Sequence, residues 1–260
     1  MPYSGQMTNI VLGDAWDDTR AFIRREHALI IPVALMTLGF GTLLGNFAMP
    51  AGPNGQLVAG PWMWLLLPYA LFSLVGTLAL SELALTSGVS VGEALRVAFL
   101  ALPRALAASV LTMLAGAMLV AVGKLLFLAL GYSPQQATGV TIMLFALIAL
   151  MVSAQLSLVP ALIVHGSGPL AALGRSWSLM RPVRGRIILL TIAYLLTFLL
   201  FAFAVQVAAG SLFLLLARMV ALPTLGVRLT ELAVTFATAT FQTGLVIFSA
   251  QLYRRLAGNR

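Results

Sequence analysis

The side chains that could do proton or metal chemistry in this 260-residue chain are few. They are Asp14, Asp17, Asp18, Glu26, Glu82, Glu93 and Glu231, with His27 and His165 as the only histidines. A zinc site needs three or four ligands gathered at close spacing. His27 follows Glu26 and His165 stands alone, so no such set forms and no metal or cofactor is expected. Both histidines read instead as polar residues at helix ends. General acid–base hydrolysis would need a carboxylate pair, and phosphate chemistry a Gly-rich loop entering a helix. Neither pattern is present, nor is the G-x-S-x-G nucleophile turn. With no cysteine, thiolate nucleophiles, thiolate metal sites and disulfides are excluded. No catalytic residue is assigned, and enzyme activity is not expected.

The remaining charges are mostly arginines, fourteen of them beside a single lysine. The net charge is +8, yet only 8% of residues are charged while 61% are hydrophobic, and the mean hydropathy is +1.03. Soluble domains carry about a quarter charged residues, and runs of about twenty apolar residues span bilayers. The arginines flank such runs rather than share a soluble face with aromatics, so they are not a nucleic-acid footprint. Preference for Arg with abundant Ala, Leu and Val suits a GC-rich bacterial genome.

The densest group of cations lies in Ser167–Ile188, SGPLAALGRSWSLMRPVRGRII. Pro169 suits a first helical position, and Leu170, Leu173, Trp177 and Met180 recur on one face. Arg175, Arg181, Arg184 and Arg186 lie off that stripe or just beyond it. The pattern predicts an amphipathic helix lying in the membrane surface, Trp177 at headgroup depth and guanidinium groups toward anionic lipid phosphates. It would act as an elbow leading into the next span.

Ala172 to Leu179, followed by Arg181, Arg184 and Arg186, resembles a motif of polytopic bacterial membrane proteins. These are related to the membrane domain that precedes the catalytic domain in some glycerophosphoryl diester phosphodiesterases. Their pattern runs Ala-Leu-Arg-Arg-Ser-Trp-x-Leu, then Arg-Gly and an aromatic-Arg pair; here Pro182 and Gly185 stand in place of the glycine and the aromatic. The resemblance implies a multi-pass membrane domain and no activity, since the diesterase chemistry belongs to a separate barrel of roughly 250 residues.

Two further elbows fit the same form. Leu12, Ala15, Trp16, Thr19, Phe22 and Ile23 make a stripe, with three aspartates early and Arg20, Arg24 and Arg25 late, matching the helix dipole. Trp16 takes the role given to Trp177. A cleaved signal peptide is the competing reading, disfavoured by the length of the apolar run and the upstream aspartates. Ser90-x-x-Glu93 is a capping box opening a second elbow whose apolar face is Val91, Leu95, Ala98, Phe99 and Leu102.

Six spans follow: about 28–49, with Gly41-x-x-x-Gly45 inviting close helix approach; 61–85, after an uncharged turn; 103–130; 134–165, kinked at Pro160; one opening at Ile187; and 228–252. Ile187–Ala221 would be about 50 Å long against a core of about 30 Å. A break near Ala209–Gly210 is therefore expected, with Ser211–Leu222 on the outer surface; the alternative is a tilted, unbroken helix projecting past it.

The expected fold is an all-α integral membrane protein, one polytopic domain over 1–260. Its six transmembrane helices form three hairpins, each preceded by a cytoplasmic amphipathic interfacial helix, in pseudo-repeats of about 10–85, 90–165 and 168–252.

Twelve positive charges fall on the elbow side, and three (Lys124, Arg218 and Arg228) on the other. The positive-inside rule places both termini in the cytoplasm, the membrane being a bacterial inner membrane. Within spans, Glu82 is expected to pair with Arg104 or Arg175, and Lys124 to snorkel or pair with Glu231. Gln155, Gln206, Gln242 and Thr235, Thr238, Thr240 and Thr243 offer interhelical hydrogen bonds.

Two functions fit. The leading one is a non-catalytic scaffold, partner subunit or lipid-organising domain, touching anionic headgroups through its elbows and open to a protein partner or homo-oligomer. The alternative is a small transporter or channel with a polar path along helices 5 and 6. Transporters place breaks at corresponding points of their repeats; Pro32, Pro68 and Pro160 do not correspond.

Overall fold

The structure is a computed structural model that describes residues 4–48, 60–220 and 222–258. Among these residues it consists of helices joined by short turns, without strands. The uncharged turn after Pro50 and Arg260 lie outside the described residues.

Helix α1 spans Ser4–Ala34 but leaves helical geometry at Glu26 (φ −109°, ψ 17°). That kink falls between Arg25 and Ala28, where the sequence separates its first elbow from its first span. Pro32 removes one backbone donor from the ladder, and a π-helical turn, Leu35–Gly39, follows before α2, Phe40–Ala48. A 3₁₀ turn, Pro61–Leu65, opens α3, Leu66–Leu85. Gly41 and Gly45 do let a neighbour in: a Cβ on either would lie 3.4 Å from Phe72 or Tyr69. The tightest approach is at Gly76 on α3, where a Cβ would stand 2.2 Å from Thr37 Oγ1.

Helix α4, Val91–Ala129, opens on the expected capping box: Ser90 Oγ accepts from the Glu93 amide, and the Ser90 amide donates to the Glu93 carboxylate at 3.0 Å. It then passes through Pro103 without ending, so the second elbow and third span are one helix of 39 residues. Its buried face is an alanine stripe, Ala94, Ala98, Ala101, Ala105 and Ala108. Phe99, on the apolar face, is 59% exposed.

Helix α5, Pro134–Leu156, starts as expected with Ser133 as N-cap and Pro134 first, Gln136 completing a second capping box. The fourth span does not run on to His165. It breaks at Ser157–Leu158, and a short α6, Val159–Val164, carries Pro160 in its first turn, where a missing N–H is tolerated.

Helix α7, Pro169–Met180, and a 3₁₀ turn, Arg181–Val183, lead into α8, Arg184–Met219. The break expected near Ala209–Gly210 is absent: α8 is one helix of 36 residues. Its interior contains no proline, and a Cβ on Gly210 would lie 3.5 Å from Thr230, so local chemistry gives no reason to stop. Helix α9, Pro223–Gly258, completes the chain.

Six of these helical stretches are long and apolar enough to cross a membrane, as in a multi-pass membrane protein. Helix α3 is the hub, touching α1, α2, α4, α6 and α9, while α8 packs mainly on α9. The buried core gathers Phe22, Leu78, Leu80, Leu162, Met180, Ile247 and Leu252, at the end of the molecule that carries α7. Away from it, α4, α5 and α8 expose leucine, methionine and phenylalanine on most sides. Helices apolar all round are at home in hydrocarbon, where their backbone bonds are satisfied internally.

Candidate functional site

The site is built on α7 and the corner that follows it. Gly166, in the left-handed region at φ +85°, ends the preceding turn, and Pro169 starts the helix. The buried stripe of α7 is Ala172, Ser176, Leu179 and Met180. Ser176 Oγ donates to the Gln155 carbonyl at 2.6 Å, tying α7 to the last turn of α5. Of the stripe chosen from sequence, only Met180 is buried; Leu170 is 70% and Trp177 41% exposed. Small residues, not large ones, set which face docks, because they let backbones approach. The signal was Ala172-x-x-x-Ser176.

Leu170, Leu173 and Trp177 instead line a cleft of about 1250 Å³ between α3, α4, α5, α6 and α7. Its wall is apolar. Three of its four hydroxyl residues, Thr77, Thr112 and Ser153, donate to carbonyls of their own helices, at Ser73, Ala108 and Leu150.

Arg184 places its guanidinium 4.8 Å from the centre of the Trp177 ring, within cation–π range. Its Nε is buried and has no hydrogen-bond partner. Arg175 and Arg181 are exposed, and Arg186 is half-buried. None of Arg175, Arg181 and Arg184 is ion-paired with a carboxylate among the described residues.

The first elbow repeats the indole–guanidinium pairing and differs in its charges. Trp16 is also 41% exposed, with Arg20 5.5 Å from its ring centre and Phe248 edge-on at 6.1 Å. Here the arginines of α9 are neutralised: Arg255 contacts Asp18 at 2.8 Å and Asp14 at 3.8 Å, and Arg254 reaches Asp18 at 3.4 Å. Arg25 pairs with Glu26 at 2.8 Å, while Arg24 is exposed and its carbonyl lies 3.1 Å from His27 Nδ1. His165 packs edge-on against Tyr253.

The intramembrane pairs expected from sequence do not form. Glu231 pairs with Arg228 at 2.9 Å, one helical turn away, and Lys124 is exposed elsewhere. Glu82 makes no ion pair with Arg104 or Arg175. Thr238, Thr240 and Thr243 donate to carbonyls four residues back on α9 rather than across helices. Interhelical bonds to backbone carbonyls come instead from Ser176, Gln251 and Tyr194, whose hydroxyl donates to the Phe241 carbonyl. Among the described residues no three metal-ligating side chains converge. Comparison of the chain with protein-family models, with curated proteins and with solved structures finds no match.

Proposed function

We propose that this is a non-catalytic multi-pass protein of a bacterial inner membrane, both ends cytoplasmic. It is built as three hairpins, each introduced by an elbow, and serves as a scaffold, partner subunit or lipid-organising domain. Its α7 elbow holds anionic lipid headgroups. One observation carries the reading: Arg175, Arg181 and Arg184 have no carboxylate partner, whereas Arg25 beside the first elbow and Arg254 and Arg255 of α9 do. Unneutralised guanidinium groups where a long lipid-exposed helix begins favour anionic headgroups by about 1 kcal/mol each. The resemblance of the 172–179 motif to membrane domains of glycerophosphoryl diester phosphodiesterases accords with this, implying a membrane role and no chemistry.

The test replaces Arg175, Arg181, Arg184 and Arg186 by lysine, which keeps charge but loses the bidentate fork. Phospholipid classes retained after detergent extraction are compared with those on the wild type. Anionic lipid should fall in the variant while topology is kept; equal retention would reduce the arginines to an orientation signal.

A further inference from the structure

From the cleft beside α7 we infer a binding site for one anionic phospholipid of the cytoplasmic leaflet, an acyl chain lying in the cleft and the phosphate held at Arg184. The headgroup half rests on the proposed function above; the acyl-chain half stands on the cleft itself.

The shape of the cleft comes from the helices around it. Near the far end α4 and α5 meet closely, a Cβ on Gly116 falling 3.3 Å from Phe145. Toward α7, the break at Ser157–Leu158 ends α5, and α6 packs against α3 and α4. Alanines 105, 108, 115 and 149 line the space between, leaving room that larger side chains would fill. Met113 and Leu170 on its lining are 73% and 70% exposed, so the cleft is open on one side.

Length and chemistry select the occupant. Along α4 the lining runs from Ala105 to Leu119, about 21 Å at the helical rise of 1.5 Å per residue. One leaflet's hydrocarbon is about 15 Å deep, and a spanning helix needs about 30 Å. The cleft therefore takes a chain from one leaflet and is too short to seat a whole transmembrane helix. The hydroxyls of Thr77, Thr112 and Ser153 are already spent on their own helices, leaving Ser109 as the one further hydroxyl on an otherwise apolar wall. An unfilled apolar cleft forfeits dispersion contacts that hydrocarbon would restore.

The polar end is fixed by Trp177, whose ring lines the cleft and carries Arg184 on its face. The Arg184 guanidinium, without a carboxylate partner, supplies charge-assisted donors at that point. Arg175 lies two residues from Trp177 on α7, and Arg104 directly precedes the lining residue Ala105 on α4. Glu82, one helical turn past Leu78 of the wall, is the opposing acid, so positive charge predominates.

The test uses the whole chain in detergent with Trp16, Trp62 and Trp64 changed to Phe, leaving Trp177 as the sole indole. Fluorescence is titrated with phosphatidylglycerol carrying brominated acyl chains, which quench tryptophan on contact, and with brominated phosphatidylcholine. The expected result is saturable quenching near one lipid per chain, with phosphatidylglycerol preferred about tenfold. Ala149→Phe, which fills the cleft, should weaken saturation at least tenfold, and Ala193→Phe on the exposed side of α8 should not. Should Ala149→Phe fail to elute as a single folded species, Ser153→Phe, one turn along the same wall, replaces it. Arg184→Gln should abolish the headgroup preference and keep saturable quenching. Non-saturating quenching, or quenching indifferent to the filled cleft, would leave only bulk lipid and overturn the inference. A photo-crosslinker at Ala115 joining another polypeptide in native membranes would overturn it in favour of a protein occupant. Saturable binding indifferent to headgroup in the wild type would overturn it as an anionic-lipid site, the failure then lying with the arginines and not with the cleft.

Discussion

Gln251, near the end of α9, donates its side-chain amide to the carbonyl of Ala84 at 3.0 Å, joining residues 167 positions apart. Ala84 lies in the last turn of α3, where carbonyls have no intrahelical donor. A side chain from the final helix thus caps the central one, within a site where Gln251 is 1% exposed. Replacing Gln251 by Ala should cost about 1–3 kcal/mol through the orphaned carbonyl. The readout is a fall of several degrees in detergent melting temperature, and an unchanged value would deny the capping role.

The contact between Gly76 and Thr37 should tolerate nothing larger than hydrogen. Gly76→Ala places its methyl 2.2 Å from Thr37 Oγ1 and 2.7 Å from Thr37 Cβ, an overpacking worth roughly 1–3 kcal/mol. Adding Thr37→Gly removes both atoms and should restore most of the loss, less about 1 kcal/mol for glycine in a helix. Thermal melts of the single and double variants separate this contact from a general intolerance of change at Gly76.

Ser176→Ala should loosen α7 from α5 by removing the 2.6 Å bond to Gln155. The expected cost is about 1–3 kcal/mol, since the carbonyl is left unpaired in a buried place. Hydrogen exchange followed by mass spectrometry should show faster exchange over 169–180 and little change in α9. Ser176→Leu, too large for a fully buried position, should be more damaging.

Orientation is open to fusion reporters. A cytoplasm-active reporter placed after Gly88, Gly166 or Arg260 should be active, and one after Gly55, Pro134 or Val220 silent. Activity after Val220 would contradict an α8 that crosses from the elbow side to the outer side.

What sequence reveals here divides along physical lines. Starts of helices were legible because their rules are local: Ser90 with Glu93, Ser133 with Pro134, and Pro169 each act within one turn. The far end of α8 departs from expectation because membrane thickness is an external length that a tilted or projecting helix need not obey. The face by which α7 docks on its neighbours, Ala172 and Ser176, stayed hidden because hydropathy ranks leucine and tryptophan above alanine and serine, whereas helix contact in an apolar setting rewards small side chains. Lys124 and Glu231 looked like partners only as the charges available on one side. Arg228, three residues from Glu231, is within reach on the same helix and takes the carboxylate.

The continuity of α4 has a mechanical consequence. The helix has 39 residues and runs through Pro103 without a break, which makes it a lever about 58 Å long. Its alanine stripe, the fulcrum, lies in the first half; Gly116 and Leu119 ride on the outer arm, which packs on α5. A rotation of only 10° about that fulcrum would carry the far tip sideways by about 5 Å. Small displacements of the tightly packed end would therefore be magnified at the other, and the width of the space beside α5 would follow the angle at which α4 is held.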